Sequence, residues 1–584
     1  MILDSINCPS DLKLLSLPEL IELCSELRSE VIRITSKNGG HLGSNLGSVE
    51  LLVAAHFVFD CPIDRFIFDV GHQAYSHKLL TGRREIMENL RRMNGASGFP
   101  DPAESEFDHF IAGHASTSLS AAIGIARARD LKGLDFKVVS ILGDGSMSGG
   151  MIYEAMNNIY GLKNFVVILN DNQMSISESV GCMRSYLSKL MRSRKWLTIR
   201  KYFRNFLNSI PIKLAKFIEL IVRKSLSLVR GSTIFDEFGF HYIGPVDGHN
   251  LSDLIEVFQN VRDIANYKPV IIHAVTQKGK GCAEAENDET KLHGVDRSSY
   301  LRYTDVFGQK IVELGKKDER IVCITAAMKH GCGLEEFSKV FPNRFFDVGI
   351  AEEHAVTFAA GIAREGLKPF VCIYSTFLQR AFDQIFHDVI LQNLPVRIVI
   401  DKAGLPGGDG KTHAGLYDIS LLQNFENITI TSPSSKKELE RILEIMAGEI
   451  KGPMAVRFPK SQAIEHERPP IIPGSSDTLV LTTGDVGNTI YLEMMRSELE
   501  RPTIWNVTYI KPFDFELFYE LASKHQKIIV YEEGVFGGLS QEILEKLFSS
   551  GNSKKICDKL VFKTIAKVPI KQSPRPDQVR QYLK

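Results

Sequence analysis

The sequence lacks the features of membrane proteins and of secreted, disulfide-stabilised proteins. None of its apolar runs approaches the roughly 18 consecutive residues that a transmembrane helix needs. Its first residues do not show a basic stretch followed by an apolar one, which is the pattern of a secretion signal. Its nine cysteines contain no C-x-x-C pair, so neither a disulfide framework nor a zinc cluster is indicated. We therefore expect a cytoplasmic protein without stable membrane insertion.

The sequence also lacks an excess of charge of either sign. Its 584 residues contain 70 Lys and Arg against 70 Asp and Glu, so the formal net charge is zero. Binding to nucleic acid depends on concentrated neutralisation of phosphates, and this balance argues against a nucleic-acid partner. With 44% hydrophobic and 24% charged residues, the composition is typical of a folded protein. A chain of this length should hold about three or four domains.

Helical and strand-like hydrophobic patterns alternate along the chain. Ser16 and Glu19 form a capping-box pattern with Pro18 between them, and apolar residues then recur at helical spacing as far as Ile34. Short apolar runs without strict alternation follow, which is typical of strands buried on both faces of parallel sheets. These runs are 138–142, 165–169, 270–275, 321–324, 370–374, 396–400 and 528–531. The sequence therefore predicts an α/β fold of doubly wound domains with mostly parallel sheets.

Two stretches without strand or helix patterns divide the chain. Residues 283–299 are polar and precede a new α/β series, and residues 468–475 are rich in proline. We therefore predict three domains, over residues 1–300, 301–467 and 476–584.

A basic segment interrupts the balance of charge. Residues 184–230 carry 13 Lys and Arg against one acid, Glu219, with aromatic residues interleaved. The segment is either a patch for a membrane surface or nucleic acid, or an amphipathic excursion whose basic face stays in water. The second interpretation is favoured, because a single basic segment in a neutral chain is usually a solvated face.

Polar clusters follow two neighbouring predicted strands. The first cluster is Gly-Asp-Gly, with Asp144 and Gly145, and the second is Asn-Asp-Asn, with Asn172. In a β-α-β unit both lie at the carboxyl edge of the sheet, where open α/β sheets bind ligands. Asp144 and Asn172 would direct oxygen ligands toward one Mg²⁺, and Gly145 would let backbone amides approach a phosphate. By themselves, the glycines also fit two ordinary strand-end turns.

The spacing of these clusters resembles a cofactor-binding motif. The 26 residues between Gly145 and Asn172 resemble the arrangement in thiamine diphosphate enzymes. Further runs extend over nearly the whole chain, which is similar to the 1-deoxy-D-xylulose-5-phosphate synthase family of the transketolase-like group. The runs are GGHLGSNLG at 39–47, DVGHQAY at 69–75, GPVDGH at 244–249, GIAEEH at 349–354, YSTFLQR at 374–380, DKAG at 401–404, GDGKTH at 408–413 and YEEG at 531–534.

The resemblance implies an architecture. It implies a transketolase-like protein with a diphosphate- and Mg²⁺-binding first domain, a pyrimidine-binding second domain and a transketolase-like C-terminal domain. Thiamine diphosphate would lie between the first two domains, and such enzymes are usually homodimers.

The resemblance also assigns cofactor contacts. Glu352 would hydrogen-bond the aminopyrimidine ring and promote removal of the thiazolium C2 proton, and Phe377 would stack on that ring. Mg²⁺ would be held by Asp144, Asn172 and the backbone carbonyl of Met174. The other cofactor positions are His72, Gly113, His114, Ala115, Gly145, Ser146 and Cys282. By position alone, Glu352 is also explained as a helix-start acid, and Phe377 as a core residue.

The implied reaction joins pyruvate to glyceraldehyde 3-phosphate with release of CO₂, and it gives 1-deoxy-D-xylulose 5-phosphate. His41 and His413 would serve proton transfers, with Asp409 near His413, and the pKa range of histidine suits this work. The phosphate of the acceptor needs cationic partners. The matching positions are Arg380, Lys402, Lys460 and Tyr374.

Some acceptor positions depart from the family pattern. Lys402 and Lys460 stand where the family usually has arginine, and Pro102 replaces a further arginine. Charge survives at the two lysines, but the bidentate geometry of arginine does not. Four interpretations follow: a divergent synthase, a paralogue joining pyruvate to another aldehyde, a transketolase acting on ketose phosphates, or a regulator without activity. Glu352 argues against the last, because binding alone does not need its proton-transfer role.

Some cofactor positions depart as well. Ala115 and Cys282 stand where serine and tyrosine are expected, and Glu353 replaces a glutamine. Cys282 is either a reactive thiol or a small packing residue, and packing is favoured.

Overall fold

The protein is described here by a computed structural model. It describes residues 1–174, 181–192, 232–288, 290–294, 300–465, 467–495, 500–550, 553–565 and 572–582. The described residues form two compact units, one from Met1–Glu88 and Phe99–Val295 and the other from Asn89–Gly98 and Asp296–Lys584. Most of the predicted basic segment, from residue 193 onward, lies outside the described residues. No described helix combines the length and apolarity that crossing a membrane requires.

The first unit contains a parallel five-stranded sheet in the order β1-β2-β3-β5-β4. The strands are β1 Arg65–Phe68, β2 Val138–Gly143, β3 Phe165–Asp171, β4 His241–Asp247 and β5 Val270–Val275. The predictions for β2, β3 and β5 are confirmed. The pattern missed β4 because Gly244 and Pro245 interrupt it.

Helices surround this sheet along the first unit. The longest, Leu17–Asn38, begins after Ser16 and has the predicted capping box with Glu19. The described helices are Pro9–Leu12, Leu17–Asn38, Leu42–Gly47, Val49–Val58, Tyr75–Leu80, Arg84–Met87, Ser118–Leu131, Gly150–Met156, Gly181–Arg192, Ile234–Glu237, Leu251–Ile264 and Ala283–Asn287.

The second unit contains two sheets. One has the order β15-β10-β11-β9-β8-β6-β7 and the other β12-β14-β13-β16-β17. Their strands are β6 Ile321–Thr325, β7 Phe345–Asp347, β8 Lys368–Tyr374, β9 Arg397–Asp401, β10 Thr429–Thr431, β11 Met454–Arg457, β12 Ile471–Ile472, β13 Thr478–Thr483, β14 Thr503–Val507, β15 Tyr509–Lys511, β16 Lys527–Glu532 and β17 Leu560–Thr564. Only the β10–β15 and β12–β14 pairs among these described strands are antiparallel. The predicted α/β fold with mostly parallel sheets is therefore confirmed.

Helices connect most of these strands. The described α-helices of the second unit are Tyr303–Lys317, Glu335–Val340, Glu352–Arg364, Ser375–Leu378, Phe382–Gln384, Asp418–Leu422, Lys436–Ala447, Gly484–Met495, Phe515–Lys524, Leu539–Ser549, Ser553–Cys557 and Arg575–Tyr582. A π-helix, Ile385–Ile390, continues one of them.

The predicted linkers have structure of their own. Within 468–475, β12 pairs antiparallel with β14 at the edge of a sheet. Within 283–299, the helix Ala283–Asn287 is formed. In addition, β15 lies in the range of the predicted third domain but pairs with β10 of the seven-stranded sheet. These pairings place the last two sheets in one compact unit, and the three-domain division stays a prediction.

In the first unit, residues 101–108 contact a buried network of charged and histidine side chains. His77 contacts His56 at 2.9 Å and Asp108 at 2.9 Å. Arg83 donates to both oxygens of Asp108, at 2.7 and 2.9 Å, and Asp108 also accepts the backbone N–H of Asp101. Burial lowers the pKa of His77 to about 4, although Asp108 opposes the shift. The imidazole of His77 is therefore neutral in the folded protein at pH values where it is protonated in the unfolded chain.

This shift predicts a loss of stability in mild acid. Between pH 6.5 and 4 the unfolded chain binds a proton at His77 that the folded protein does not, so the free energy of unfolding falls as the pH falls. We expect His77→Gln to reduce this fall by about 2–4 kcal/mol relative to the unsubstituted protein. Urea unfolding followed by circular dichroism at several pH values measures the difference.

His387 provides the control, because its neighbour Asp388 raises its pKa and reverses the sign. His387→Gln should not reduce the fall in stability toward pH 4. Parallel pH curves for His77→Gln and the unsubstituted protein would contradict the prediction.

Candidate functional site

In the first unit, the predicted metal ligands lie at the ends of β2 and β3. Asp144 begins a short 3-10 turn after β2 and is buried. The backbone N–H of Asn172 donates to Asp144 Oδ1 at 3.4 Å, and Asn172 Oδ1 accepts the N–H of Met174 at 3.1 Å. The parallel β2–β3 pairing thus brings Asp144, Asn172 and Met174 together.

Asp69 organises the loops beside these ligands. It follows β1, and its carboxylate accepts the backbone N–H groups of Ser116 at 2.8 Å and Ser118 at 3.0 Å. It also accepts the hydroxyl of Ser146, and Ser116 Oγ donates to the Ser146 carbonyl at 3.0 Å. Asp69 therefore joins residues 116–118, which follow the predicted cofactor turn 113–115, to Ser146, which follows the Gly-Asp-Gly sequence. The sequence showed Asp69 within a family motif but gave no reason for its role.

A second buried network fixes the turn that contains Asn172. Asp171 Oδ2 contacts His273 Nε2 at 2.7 Å, and the Tyr242 hydroxyl contacts His273 Nδ1 at 2.8 Å. The other carboxylate oxygen of Asp171 accepts the N–H of Gln173 at 3.0 Å. These contacts set the backbone on both sides of Asn172.

Lys278 is a buried lysine of the same unit. Burial lowers its pKa to about 7, although Asp144 and Asp288 oppose the shift. Sequence reasoning missed this lysine, because a lysine after a strand is most often exposed.

The first unit also brings three histidines together. The ring centroids of His41, His72 and His293 lie 5.3 to 5.5 Å apart, and Phe99 is 5.6 Å from His41. His41 and His72 were predicted to serve the same site, and His293 was not predicted. Cys282 precedes the helix Ala283–Asn287 and is half-buried.

The remaining predicted cofactor residues of this unit lie on the loops that Asp69 joins. Gly113 has a φ of +148°, which side-chain-bearing residues rarely adopt. His114 and Ala115 follow it, and Gly145 lies in the 3-10 turn Asp144–Ser148.

In the second unit, Glu352 is the first residue of the helix Glu352–Arg364, and only 1% of it is exposed. Arg380 approaches its carboxylate at 3.4 Å. Burial raises the pKa of Glu352, and Arg380 limits the rise. The neighbouring Glu353 is exposed. Glu352 thus has the environment of a group that holds or transfers a proton.

Aromatic contacts connect four other predicted residues of the second unit. Phe377 stacks on Tyr374 with centroids 5.8 Å apart and meets His413 edge-on at 5.5 Å. The ammonium of Lys402 lies 4.2 Å from the centroid of the Tyr374 ring. It also donates to the Gly331 carbonyl at 2.7 Å and to Asp401 at 3.2 Å.

Asp409 forms the third cluster of this unit. Lys460 contacts its carboxylate at 3.1 Å, and Arg91 forms an ion pair with it. Arg91 also donates to the Gly408 carbonyl at 3.2 Å. Burial alone would raise the pKa of Asp409, but these cations hold it well below its usual range. Sequence reasoning missed Arg91, which lies in the segment Asn89–Gly98 that packs with the second unit.

The predicted Mg²⁺ ligands include one carboxylate, that of Asp144. Within the described residues no group of three or more His, Cys, Asp or Glu side chains has a metal-binding arrangement. An Mg²⁺ site with one carboxylate needs further oxygen ligands, and the phosphate groups of a bound molecule often supply them.

Comparison with known proteins gives three successive matches to family models. Residues 3–276 match 1-deoxy-D-xylulose-5-phosphate synthase, residues 299–464 match the transketolase pyrimidine-binding domain, and residues 474–578 match the transketolase C-terminal domain. A solved transketolase structure from Campylobacter jejuni is 16% identical, with a TM-score of 0.39, and the match covers 97% of this chain and 98% of that one.

Curated relatives are more similar in sequence. A 1-deoxy-D-xylulose-5-phosphate synthase of Dictyoglomus thermophilum is 46% identical over 93% of this chain and 91% of the relative. One of Caldanaerobacter subterraneus is 44% identical over 95% of this chain and 92% of the relative. By this identity over nearly its whole length, the chain belongs to the 1-deoxy-D-xylulose-5-phosphate synthase family.

Proposed function

We propose that the protein condenses pyruvate with glyceraldehyde 3-phosphate, releasing CO₂ and forming 1-deoxy-D-xylulose 5-phosphate, with thiamine diphosphate and Mg²⁺. The observation that carries the proposal is Glu352, a buried carboxyl group with a raised pKa at the start of a helix. It lies in the range that matches the pyrimidine-binding domain. Relatives named for this reaction cover nearly the whole chain and support the substrates.

The residues of the first unit fit the diphosphate end of this cofactor. Asp144 and Asn172 offer oxygen ligands, and their single carboxylate suits an Mg²⁺ ion that keeps positions for phosphate oxygens. Gly113 and Gly145 let backbone amides approach an anion closely. Lys278 is a buried amine near this end, and Asp144 favours its protonated form while burial lowers its pKa to about 7.

The cofactor, when bound, supplies the carbanion chemistry, and the chain positions it and manages protons. Glu352 would hold a proton at its carboxyl group, and its raised pKa favours the protonated form. His41 and His413 would exchange protons with the reacting molecules, since the ordinary pKa of imidazole lies near neutrality. Phe377 would present its ring to the pyrimidine.

The acceptor phosphate would bind at the cations of the second unit. Lys402 is oriented by the Tyr374 ring and by Asp401, and Arg380 lies beside Glu352. Lys460 pairs with Oδ2 of Asp409, and Arg91 pairs with its Oδ1. The lysines at 402 and 460 leave a related reaction of pyruvate with another aldehyde as a second candidate, which the relatives named 1-deoxy-D-xylulose-5-phosphate synthase do not favour.

The decisive experiment measures CO₂ release from pyruvate by purified protein with thiamine diphosphate and Mg²⁺, with and without glyceraldehyde 3-phosphate. Mass spectrometry identifies the product. A deoxypentulose phosphate formed only with the acceptor would support the proposal. CO₂ without that product would favour the second candidate, and no CO₂ in either tube would refute both.

The proposal also includes the homodimer and the cytoplasmic location expected from the sequence. The second unit exposes Phe346, Phe386 and Leu391, apolar side chains that a second copy would cover. Sedimentation velocity tests the first expectation, and cell fractionation tests the second.

A first prediction concerns Glu352. Glu352→Gln keeps the shape of the side chain but removes its acidic proton. We expect product formation to fall by about 10²–10⁴-fold, the usual range for loss of a general acid or base. Glu353→Gln, one residue further along the same helix, should retain activity. Equal losses in the two variants would contradict the assigned role.

A second prediction concerns Asp69. Asp69→Asn places an amide where three donors now meet a carboxylate, so the loops at 113–118 and 144–148 should lose their arrangement. We expect thiamine diphosphate to bind about 10–100-fold more weakly, because each lost charge-assisted bond costs roughly 1.5–3 kcal/mol. Isothermal titration calorimetry in the presence of Mg²⁺ measures the affinity.

Asp64 is the matched control for this measurement. It is also buried, and it accepts the backbone N–H groups of Asp60 and Lys137 just before β1 and β2 begin. Asp64→Asn should destabilise the fold without weakening cofactor binding. A similar loss of affinity in both variants would show a general effect of stability instead.

A third prediction concerns the phosphate of the acceptor. Lys402→Met removes the ammonium group, and we expect the KM for glyceraldehyde 3-phosphate to rise by about tenfold or more. The KM for unphosphorylated glyceraldehyde should not change. Lys310→Met, which removes a buried lysine paired with Glu444, is the control for packing. A rise for both acceptors would contradict a phosphate contact.

A further inference from the structure

The loop that contains Asp409 and His413 is held by residues far along the chain. We call residues 404–413 the acceptor loop. Gly404, at its start, has a φ of +82°, and a Cβ there would lie 2.3 to 2.6 Å from the carboxylate of Glu533. Glu533 Oε1 also accepts the backbone N–H of Leu405 at 3.0 Å. The loop therefore begins in direct contact with the C-terminal part of the chain.

Gln578 holds the middle of the acceptor loop. Its Oε1 accepts the N–H of Gly407 at 2.8 Å, and its Nε2 donates to the Gly407 carbonyl at 3.0 Å. Gln578 is completely buried, and Gly407 has a φ of +66°. One side-chain amide thus satisfies both backbone groups of a residue two positions before Asp409.

Arg575 connects these contacts to Lys460, the partner of Asp409. It donates to both oxygens of Glu533 at 2.7 Å and to Asp485 at 2.8 Å. Asp485 in turn accepts the hydroxyl of Ser461, the residue after Lys460, at 3.1 Å. The same buried cluster therefore contacts the acceptor loop and the turn beside it.

A purely stabilising purpose does not explain this cluster. Buried ion pairs contribute little net stability, and apolar residues of similar size often do as well or better. What these polar side chains provide is directional hydrogen bonding, because Glu533 and Gln578 both bond to backbone groups of the acceptor loop. Directional contacts of this kind select a single loop conformation.

We infer that Glu533, Arg575 and Gln578 are positioning residues, which fix the acceptor loop and so place Asp409 and His413 for the reaction. They act through the loop and do not touch the substrate. The inference rests on the proposed function, because it assigns positioning residues from the C-terminal region to the same site.

Gln578→Ala is the most direct test, because it removes two hydrogen bonds to the loop without leaving a buried charge. We expect kcat/KM for glyceraldehyde 3-phosphate to fall roughly 10- to 100-fold, because small misplacements of reacting groups slow a reaction by such factors. The KM for pyruvate and the affinity for thiamine diphosphate should stay unchanged. Gln578→Glu keeps the acceptor for the Gly407 N–H but not the donor, so it should be intermediate.

Gln423 supplies a matched control. Its buried amide donates to Glu542 at 2.6 Å, so it also ties the C-terminal region to the preceding part of the second unit, but not at the acceptor loop. Gln423→Ala should lower the melting temperature as Gln578→Ala does, with the acceptor kinetics preserved. A similar loss of kcat/KM in both variants, or in neither, would overturn the inference.

The charged cluster is tested by comparing a single with a triple substitution. Glu533→Gln alone leaves Arg575 without one of its two carboxylate partners, and we expect the loss of kcat/KM for the acceptor to accompany a lower melting temperature. Glu533→Gln with Asp485→Asn and Arg575→Met removes all three charges, so it should recover the melting temperature while the kinetic loss persists. Recovery of both quantities would overturn a positioning role.

Hydrogen exchange of residues 404–413 separates failure of this inference from failure of the proposed function. Gln578→Ala should speed amide exchange in the acceptor loop by at least tenfold, and Gln423→Ala should not. If the unsubstituted protein releases no CO₂ but Gln578→Ala still speeds exchange in the acceptor loop, the proposed function is refuted and the support of the loop by Gln578 is kept. Unchanged exchange in Gln578→Ala would refute the inference, whatever the activity.

Discussion

Buried carboxylates beside the carboxyl ends of parallel strands hold the loops on which this protein depends. Asp69 follows β1, Asp171 ends β3, Asp401 ends β9 and Glu533 follows β16. Each accepts backbone N–H groups from the loop beside it. A buried N–H without an acceptor costs about 1–3 kcal/mol, and one carboxylate can accept several at once. A single side chain thus orders a whole loop.

A buried carboxylate needs compensation, and the protein supplies it in several ways. Asp69 receives backbone N–H groups and a hydroxyl, Asp171 receives an imidazole, and Glu533 receives a guanidinium. Asp401 is compensated by Lys402, whose ammonium also reaches the Gly331 carbonyl and the face of Tyr374. The three rotatable N–H donors of a lysine ammonium suit these separate partners better than a planar guanidinium would, which gives a physical reason for lysine at position 402.

Apolar runs predicted seven of the described strands, because the interior of a parallel sheet demands such runs; these are β2, β3, β5, β6, β8, β9 and β16. The others were missed, among them β1, whose four residues begin with Arg65, β12 in a proline-rich stretch, and the buried strands β11, β13 and β14. The Gly-Asp-Gly and Asn-Asp-Asn clusters predicted the meeting of Asp144 and Asn172, because parallel pairing fixes where strands end. Arg91 and Gln578 could not be predicted, since their contacts join residues more than 150 positions apart in sequence. Such pairings depend on the tertiary fold and leave no local pattern.

The path of the chain limits how this protein can be divided. Residues Asn89–Gly98 belong to the second unit, although the chain on both sides of them belongs to the first. Arg91 in this short segment is one of the two cations at Asp409. A single cut near residue 300 therefore cannot release the second unit intact. A chain that began there would contain Asp409 but would lack its ionic partner Arg91. Fusion, splitting or exchange of domains in this family member has to carry ten residues from the other half of the chain.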